Sequence, residues 1–237
     1  TVDFGGGTLD FSIFKKSATG YNVIGTHGIA LGGNHIDQLL FRSLLFPMLG
    51  EGAVGNLSSA EGPIATRFGF GAYADLLLNW PVAYLLNQNS YLTPVQDLIK
   101  NGGELAVVFQ KLLDLIQFNY SYLVFQHIKQ FKEKFATQEQ AELDIPELDL
   151  SLKLSRAEFT QVLTPAIAKF SQALDEAIVA AGVREQDIDR VICVGGSTRL
   201  PAVRGVLQQR FGDRVSEHDI FTSVAAGLAI QDFQRQQ

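Results

Sequence analysis

Two carboxylates, three glycines and a hydroxyl lie together near the start of the chain, in Asp3-Phe4-Gly5-Gly6-Gly7-Thr8-Leu9-Asp10. Apolar strand-like residues flank them: Val2 and Phe4 before, Leu9, Phe11, Ile13 and Phe14 after. Glycines between two β-type segments allow a tight turn and remove the Cβ atoms that keep a bulky anion off the backbone. Successive N–H groups in such a turn form a concavity suited to phosphate. Asp3 cannot hold phosphate directly, because like charges repel. Its natural task is to reach a divalent cation through water, with phosphate on the cation's other side. The plainer reading is a β-hairpin whose glycines only make the turn.

A second cluster favours the phosphate reading. Val191-Ile192-Cys193-Val194 is a short β-branched run of the kind that forms a buried strand. It ends in Gly195-Gly196-Ser197-Thr198-Arg199-Leu200-Pro201. Pro201 then opens a helical pattern that runs to about Phe211 and closes at Gly212. Strand, Gly-Gly-Ser-Thr, helix is a layout for setting a nucleotide against bare backbone near a helix start. Arg199 can lie flat along a base or ribose, as a planar guanidinium does.

The elements that must position these groups read as follows. Residues 1–31 alternate as consecutive strands, the second over 9–14 and the third over 21–25. Asn34 is a good N-cap with Asp37 three residues on, which gives Asp37 a sufficient structural reason. A helix over 36–45 follows, stopped by Pro47 and Gly50. Residues 50–70, rich in Gly and Ser, read as loop. Residues 71–135 are strongly apolar and aromatic, with helical spacing over 105–135, and the aromatic stripe reads as packing. Residues 141–154 alternate around Pro146 as a hairpin. Ser155-Arg156-Ala157-Glu158 is a capping box that starts an amphipathic helix ended by Gly182. A last helix over about 223–233 carries Ala225, Ala226, Gly227 and Ala229, small residues that permit close approach.

With 237 residues, 46% of them hydrophobic, the chain can bury a full core as one domain or two lobes. A net charge of -6 argues against a nucleic-acid backbone as partner. The single Cys, inside an apolar run, excludes a disulfide framework and fits a reducing, cytoplasmic setting. No secretory signal is visible. The most membrane-like stretch, residues 105–125, is interrupted by Gln110, Lys111, Asp114, Gln117 and Asn119, so no bilayer span is expected. The four histidines have no metal-ligand spacing. Neither a Gly-x-Ser-x-Gly elbow nor a Walker loop occurs. The chain opens at Thr1 inside a strand pattern, which leads us to expect that an N-terminal part of a parent protein is missing.

Four motifs in order carry a resemblance: Asp-Phe-Gly-Gly-Gly-Thr-Leu-Asp, Leu-Gly-Gly-Asn-x-x-Asp, Val-Gly-Gly-Ser-Thr-Arg-Leu-Pro and the closing Ser-Val-Ala-Ala-Gly-Leu-Ala. In this order the chain resembles the DnaK-type heat-shock chaperones, of the actin, hexokinase and chaperone ATPase superfamily. Asn34, the Leu-Leu-Phe-Pro-Met-Leu-Gly stretch and the Trp80 region look more like a divergent bacterial branch, the YegD-like proteins. The resemblance implies an α/β, actin-like (ribonuclease H-like) ATPase fold: a base lobe of mixed sheet flanked by helices, from residues 1–42 and 155–237. An inserted α+β lobe would span residues 43–154.

By the same resemblance the cofactors would be ATP or ADP with Mg2+. Gly5, Gly6, Gly7 and Thr8 would form the second phosphate loop. Thr8 would touch the terminal phosphate, Asp3 would act through the Mg2+ shell, and Asp10 would sit near the same cation through water. Gly33 would border the phosphates from the helix start. Lys132 matches the lysine that helps hold adenosine, although beside Lys129 and Lys134 it also reads as a solvated helix residue. Gly195, Gly196, Ser197 and Arg199 would line the adenosine site. This chain departs from the family pattern at Asn34 (usually Glu), Lys129 (Glu), Glu133 (Arg), Ala136 (Ser) and Phe221 (an acid).

In this family the first phosphate loop, a catalytic lysine and further acids belong to the N-terminal lobe. Phosphoryl transfer needs several groups around the phosphate at once. The isolated chain is therefore expected to be inactive, and the parent to be an ATPase whose hydrolysis turns one lobe against the other. Its partners would be nucleotide, the missing lobe and client proteins or co-chaperones. The alternatives are a small-molecule kinase of the same superfamily and a degenerate, non-catalytic interaction module.

Overall fold

The computed structural model describes residues 1–18, 20–59 and 62–217. It divides into two compact units: Thr1–Ile36 with residues from Leu163 onward, and Asp37–Val162. The division falls about six to eight residues from the lobe boundaries expected at 42/43 and 154/155.

The first unit begins with strands β1 (Val2–Phe4), β2 (Leu9–Ser17) and β3 (Gly20–Ile29). Alternation builds the pairing: Val2 opposes Phe11 and Phe4 opposes Leu9, all four buried on one face. Asp3 and Asp10, between them, face the other way and are exposed. Helix α1 (Gly33–Leu40) follows. It starts three residues before the expected Ile36, because the Gly32 carbonyl already accepts from the His35 and Ile36 amides at 3.0 and 3.2 Å. Asn34 is thus inside the first turn rather than capping it. A π turn (Phe41–Leu45) and a 3-10 turn (Pro47–Leu49) continue from α1.

The second unit corrects one expectation early. Residues 50–70, read as loop, contain an antiparallel pair, β4 (Val54–Ser59) and β5 (Gly62–Arg67). Their Gly, Ser, Asn and Pro content hides the strand signal, and pairing overrides weak β propensity. Helices α2 (Gly71–Leu77), α3 (Asn89–Lys100), α4 (Glu104–Gln117) and α5 (Ser121–Lys134) come next, with a 3-10 segment at Trp80–Leu86. The pattern expected as one helix over 105–135 breaks where Asn119 adopts φ 53°. None of the described helices is long and apolar enough to cross a membrane. Hairpin β6 (Gln140–Ile145) and β7 (Leu150–Ser155) turns through Pro146, as the alternation predicts. The Ser155–Glu158 capping box forms at the start of α6 (Arg156–Val162), with the Ser155 amide and hydroxyl donating to Glu158 Oε2 at 2.8 and 2.7 Å.

Aromatic packing forms the core of this unit. Phe68 lies edge-on to Phe109 at 4.7 Å, and Phe135 stacks on Phe159 at 4.1 Å. Such pairs contribute roughly 0.5–1.5 kcal/mol each beyond burial. The expected packing role of the stripe holds for Phe109, Phe131 and Phe135, whereas Trp80, Tyr84, Phe118 and Tyr122 remain exposed.

The chain then completes the first unit. Helix α7 (Thr164–Ala180) is separate from α6, since Pro165 in its first turn lacks the N–H that a continuous helix would need. Strand β8 (Val191–Val194), a 3-10 turn (Gly196–Arg199), α8 (Pro201–Phe211) and β9 (Val215–Glu217) follow. Among the described residues the sheet order is β3-β2-β1-β8-β9. Only β2 runs against the other four strands. Phe170 of α7 fills the buried face, with ring centroids 5.9 Å from Phe4 and 5.7 Å from Phe11. This is a mixed sheet flanked by helices, as the sequence predicts. The expected helix over 223–233 and Phe221 lie outside the described residues.

Candidate functional site

The first glycine bend is the β1–β2 turn, closed by the Gly5 amide on the Thr8 carbonyl at 3.0 Å. It rests on the start of α1: the Gly33 amide donates to the Gly5 carbonyl at 2.9 Å and the Asn34 amide to the Gly6 carbonyl at 2.8 Å. These bonds orient the loop. No peptide in the described chain is cis, and in a trans peptide the N–H points opposite to the C=O. With the Gly5 and Gly6 carbonyls turned to α1, the Gly6 and Gly7 N–H groups point away from it. Gly6, Gly7 and Thr8 are exposed. Two adjacent donors beside a hydroxyl suit an anion.

Gly32 makes this contact possible, and sequence reasoning gave it no role. A Cβ there would sit 2.2 Å from the Gly6 carbonyl oxygen. The signal was present in the Gly32-Gly33 pair directly before a helix.

The second bend lies beside the first. Gly195 ends β8 at φ 88°, and a Cβ on it would come within 2.3 Å of the Phe4 carbonyl oxygen, immediately before Gly5. Both bends therefore stand at the carboxyl ends of the adjacent parallel strands β1 and β8, the end of an open α/β sheet where ligands bind. The Thr198 hydroxyl fixes the second bend by donating to the Gly195 carbonyl at 2.7 Å. Ser197 and Thr198 are buried, while Gly196 and Arg199 are exposed.

Asp3 and Asp10 are paired across β1 and β2, with Gly28 next in line on β3. Carboxylates directly opposite one another repel, and a cation relieves that. Two carboxylates and the Thr8 hydroxyl are hard oxygen donors that fit Mg2+, which retains several waters. No group of three or more His, Cys, Asp or Glu side chains able to hold a metal occurs among the described residues. A cation here would complete its shell from water and phosphate.

Lys132 belongs to the second unit. Its Nζ lies 2.7 Å from Asp37 Oδ1, with side chains 10% and 7% exposed. Lys132 is thus a buried residue rather than a solvated one, while Lys129 and Glu133 beside it are exposed. Burial pushes the Asp37 carboxyl up by more than the Lys132 ammonium pulls it down. On α1, burial together with Lys169 holds His35 below the usual imidazole value. A cavity of about 390 Å3 lined by Leu44, Leu154 and Val162, and another of about 450 Å3 lined by Ile99, Val107 and Lys111, contain none of the expected site residues.

Comparison with known proteins finds the following relatives. A family model described as Hsp70 protein matches residues 126–232. The chaperone protein DnaK of Picrophilus torridus is 27% identical over 231 residues, which cover 97% of this chain and 30% of that protein. DnaK of Thermus thermophilus is 36% identical over 88 residues, covering 35% of this chain and 14% of that protein. A chaperone protein HscA homolog of Pseudomonas fluorescens is 38% identical over 82 residues, covering 34% of this chain and 13% of that protein. The chain thus spans under a third of the length of these relatives. By its ordered motifs, the mixed sheet with its two adjoining bends and these relatives, the chain is similar to the Hsp70 family, in the actin-like nucleotide-binding region.

Proposed function

We propose that this chain supplies one wall of the ATP site of a DnaK-like chaperone ATPase. The observation that carries the reading is the pair of adjoining bends, residues 5–8 and 195–199, at one end of the sheet. Gly5, Gly6, Gly7 and Thr8 take the phosphates through outward N–H groups, and the Thr8 hydroxyl orients the terminal phosphate. Asp3 and Asp10 hold Mg2+ through water, and that ion neutralises charge on the phosphates. Gly33 borders the phosphates. Gly195, Gly196, Ser197 and Arg199 line the nucleoside, with Arg199 exposed and able to lie along the base.

In the full-length parent, hydrolysis drives rotation of the lobes and passes to client proteins or co-chaperones in the cytoplasm. Residues 1–42 with 155–237 are the base lobe, and residues 43–154 the smaller one. Asn34, the Leu-Leu-Phe-Pro-Met-Leu-Gly stretch and the Trp80 region support a YegD-like branch within the family. Without the groups of the N-terminal lobe the isolated chain binds nucleotide weakly and does not turn it over.

One observation favours a second reading, a non-catalytic interaction module. Lys129, Glu133 and Ala136 depart from the family pattern around the nucleoside, and Lys132 is engaged by Asp37. Calorimetric titration with Mg-ATP and Mg-ADP separates the two. Binding by the full-length parent, with turnover lost in Thr8→Ala, supports the ATPase, whereas a parent that binds neither nucleotide supports the module. Turnover by the isolated chain, abolished by Thr8→Ala, would refute its predicted inactivity.

A further inference from the structure

Asp37 is the most deeply buried carboxylate among the described residues, and the nucleotide reading gives it nothing to do. Its place on α1 gives it a task. One turn before it, the Gly33 and Asn34 amides hold the Gly5 and Gly6 carbonyls, so the pose of α1 sets the pose of the glycine loop. At Asp37 itself the same helix is held from the side by Lys132 of α5, at 2.7 Å. We infer that Asp37 is a positioning residue: through its ion pair with Lys132 it fixes α1, and through α1 it fixes the Gly5-Gly6-Gly7 loop that takes phosphate.

A buried ion pair is a poor source of stability. Removing two charges from water costs about as much as their attraction returns, and an apolar pair of similar volume often does as well. The upward push on the Asp37 carboxyl reflects that cost. What such a pair supplies is geometry. Both side chains are about nine-tenths or more buried, and a 2.7 Å contact leaves α1 little freedom to slide or rotate along α5.

The inference rests on the nucleotide reading above, and the test keeps the two apart. Asp37→Asn removes the charge at nearly constant shape, and Lys132→Met removes the partner. In each variant and in the double variant, amide hydrogen exchange is followed at Gly33 and Asn34, with α7 amides as a control for global unfolding. Affinity is then measured for Mg-ATP and, separately, for adenosine. We expect exchange at Gly33 and Asn34 to quicken at least tenfold more than at the α7 amides, which carry any global loss of stability. Mg-ATP affinity should fall about tenfold and adenosine affinity by less than twofold, with the double variant no worse than the weaker single one. A role confined to stability would weaken both ligands alike. Unchanged exchange at Gly33 and Asn34, or an equal loss of adenosine and Mg-ATP, overturns the inference alone. Wild-type full-length protein that ignores Mg-ATP overturns the nucleotide reading and the inference with it.

Discussion

Asp3 and Asp10 stand directly opposite one another across the β1–β2 pair, both exposed, at the end of the hairpin that carries the glycine turn. Like charges in that position destabilise a sheet by some tenths of a kcal/mol up to about 1 kcal/mol. Asp10→Asn should therefore leave the metal-free protein as stable as the wild type or slightly more so. It should also remove the stabilisation gained on adding Mg-ADP. Thermal unfolding with and without Mg-ADP measures both, and a variant that keeps the full Mg-ADP gain contradicts the cation role.

Gly32→Ala tests the contact that seats the loop. The added methyl would lie 2.2 Å from the Gly6 carbonyl oxygen, and neither backbone can yield cheaply. We expect a loss of about 2–4 kcal/mol in urea unfolding, or a retained fold with nucleotide affinity lost. Gly7→Ala is the matched control in the unfolding measurement alone, because no atom lies within 4 Å of its added Cβ, while Gly7 itself faces the phosphates in the proposed site. Equal behaviour of the two variants would contradict the seating.

The Asp37–Lys132 pair should show strong coupling in stability as well. Either single replacement, Asp37→Asn or Lys132→Met, strands a buried charge and should cost about 3 kcal/mol. Asp37→Leu combined with Lys132→Met strands none and should cost much less than the two singles summed. Additive losses in denaturant unfolding would show that the two side chains do not act as a pair.

His35 provides the pH dependence. Its value is held below the ordinary 6.5 by burial first and by Lys169 second. A depressed value means that the folded state binds a proton less readily than the unfolded one. The contribution is complete above pH 6.5 and is lost as pH falls through the lowered folded value. His35→Gln should flatten that part of the stability profile, and NMR titration of the imidazole should give a midpoint below 6.5. A midpoint above 6.5 contradicts the placement.

Elements governed by short-range chemistry were legible in the sequence. Pro201 and Gly212 bracket α8, and Ser155 with Glu158 starts α6, because the determining atoms lie a few residues apart. The bends were legible for the same reason. What the sequence hid depends on distant partners. The start of α1 is set by carbonyls from the glycine loop, which recruit the Asn34 amide and displace it from the capping role its side chain suggests. β4 and β5 exist through pairing despite the Gly, Asn and Pro residues in them, which disfavour strands. The partner of Lys132 sits far back along the chain on another helix, and no local pattern announces it.

The most direct test is an NMR titration of the full-length protein with Mg-ADP, read at the amides of Gly6 and Gly7 in the first bend and Gly195 and Gly196 in the second. The account predicts that all four shift together along one saturation curve, since the bends adjoin and take the same ligand. Shifts confined to one bend, or two curves with different midpoints, would contradict it.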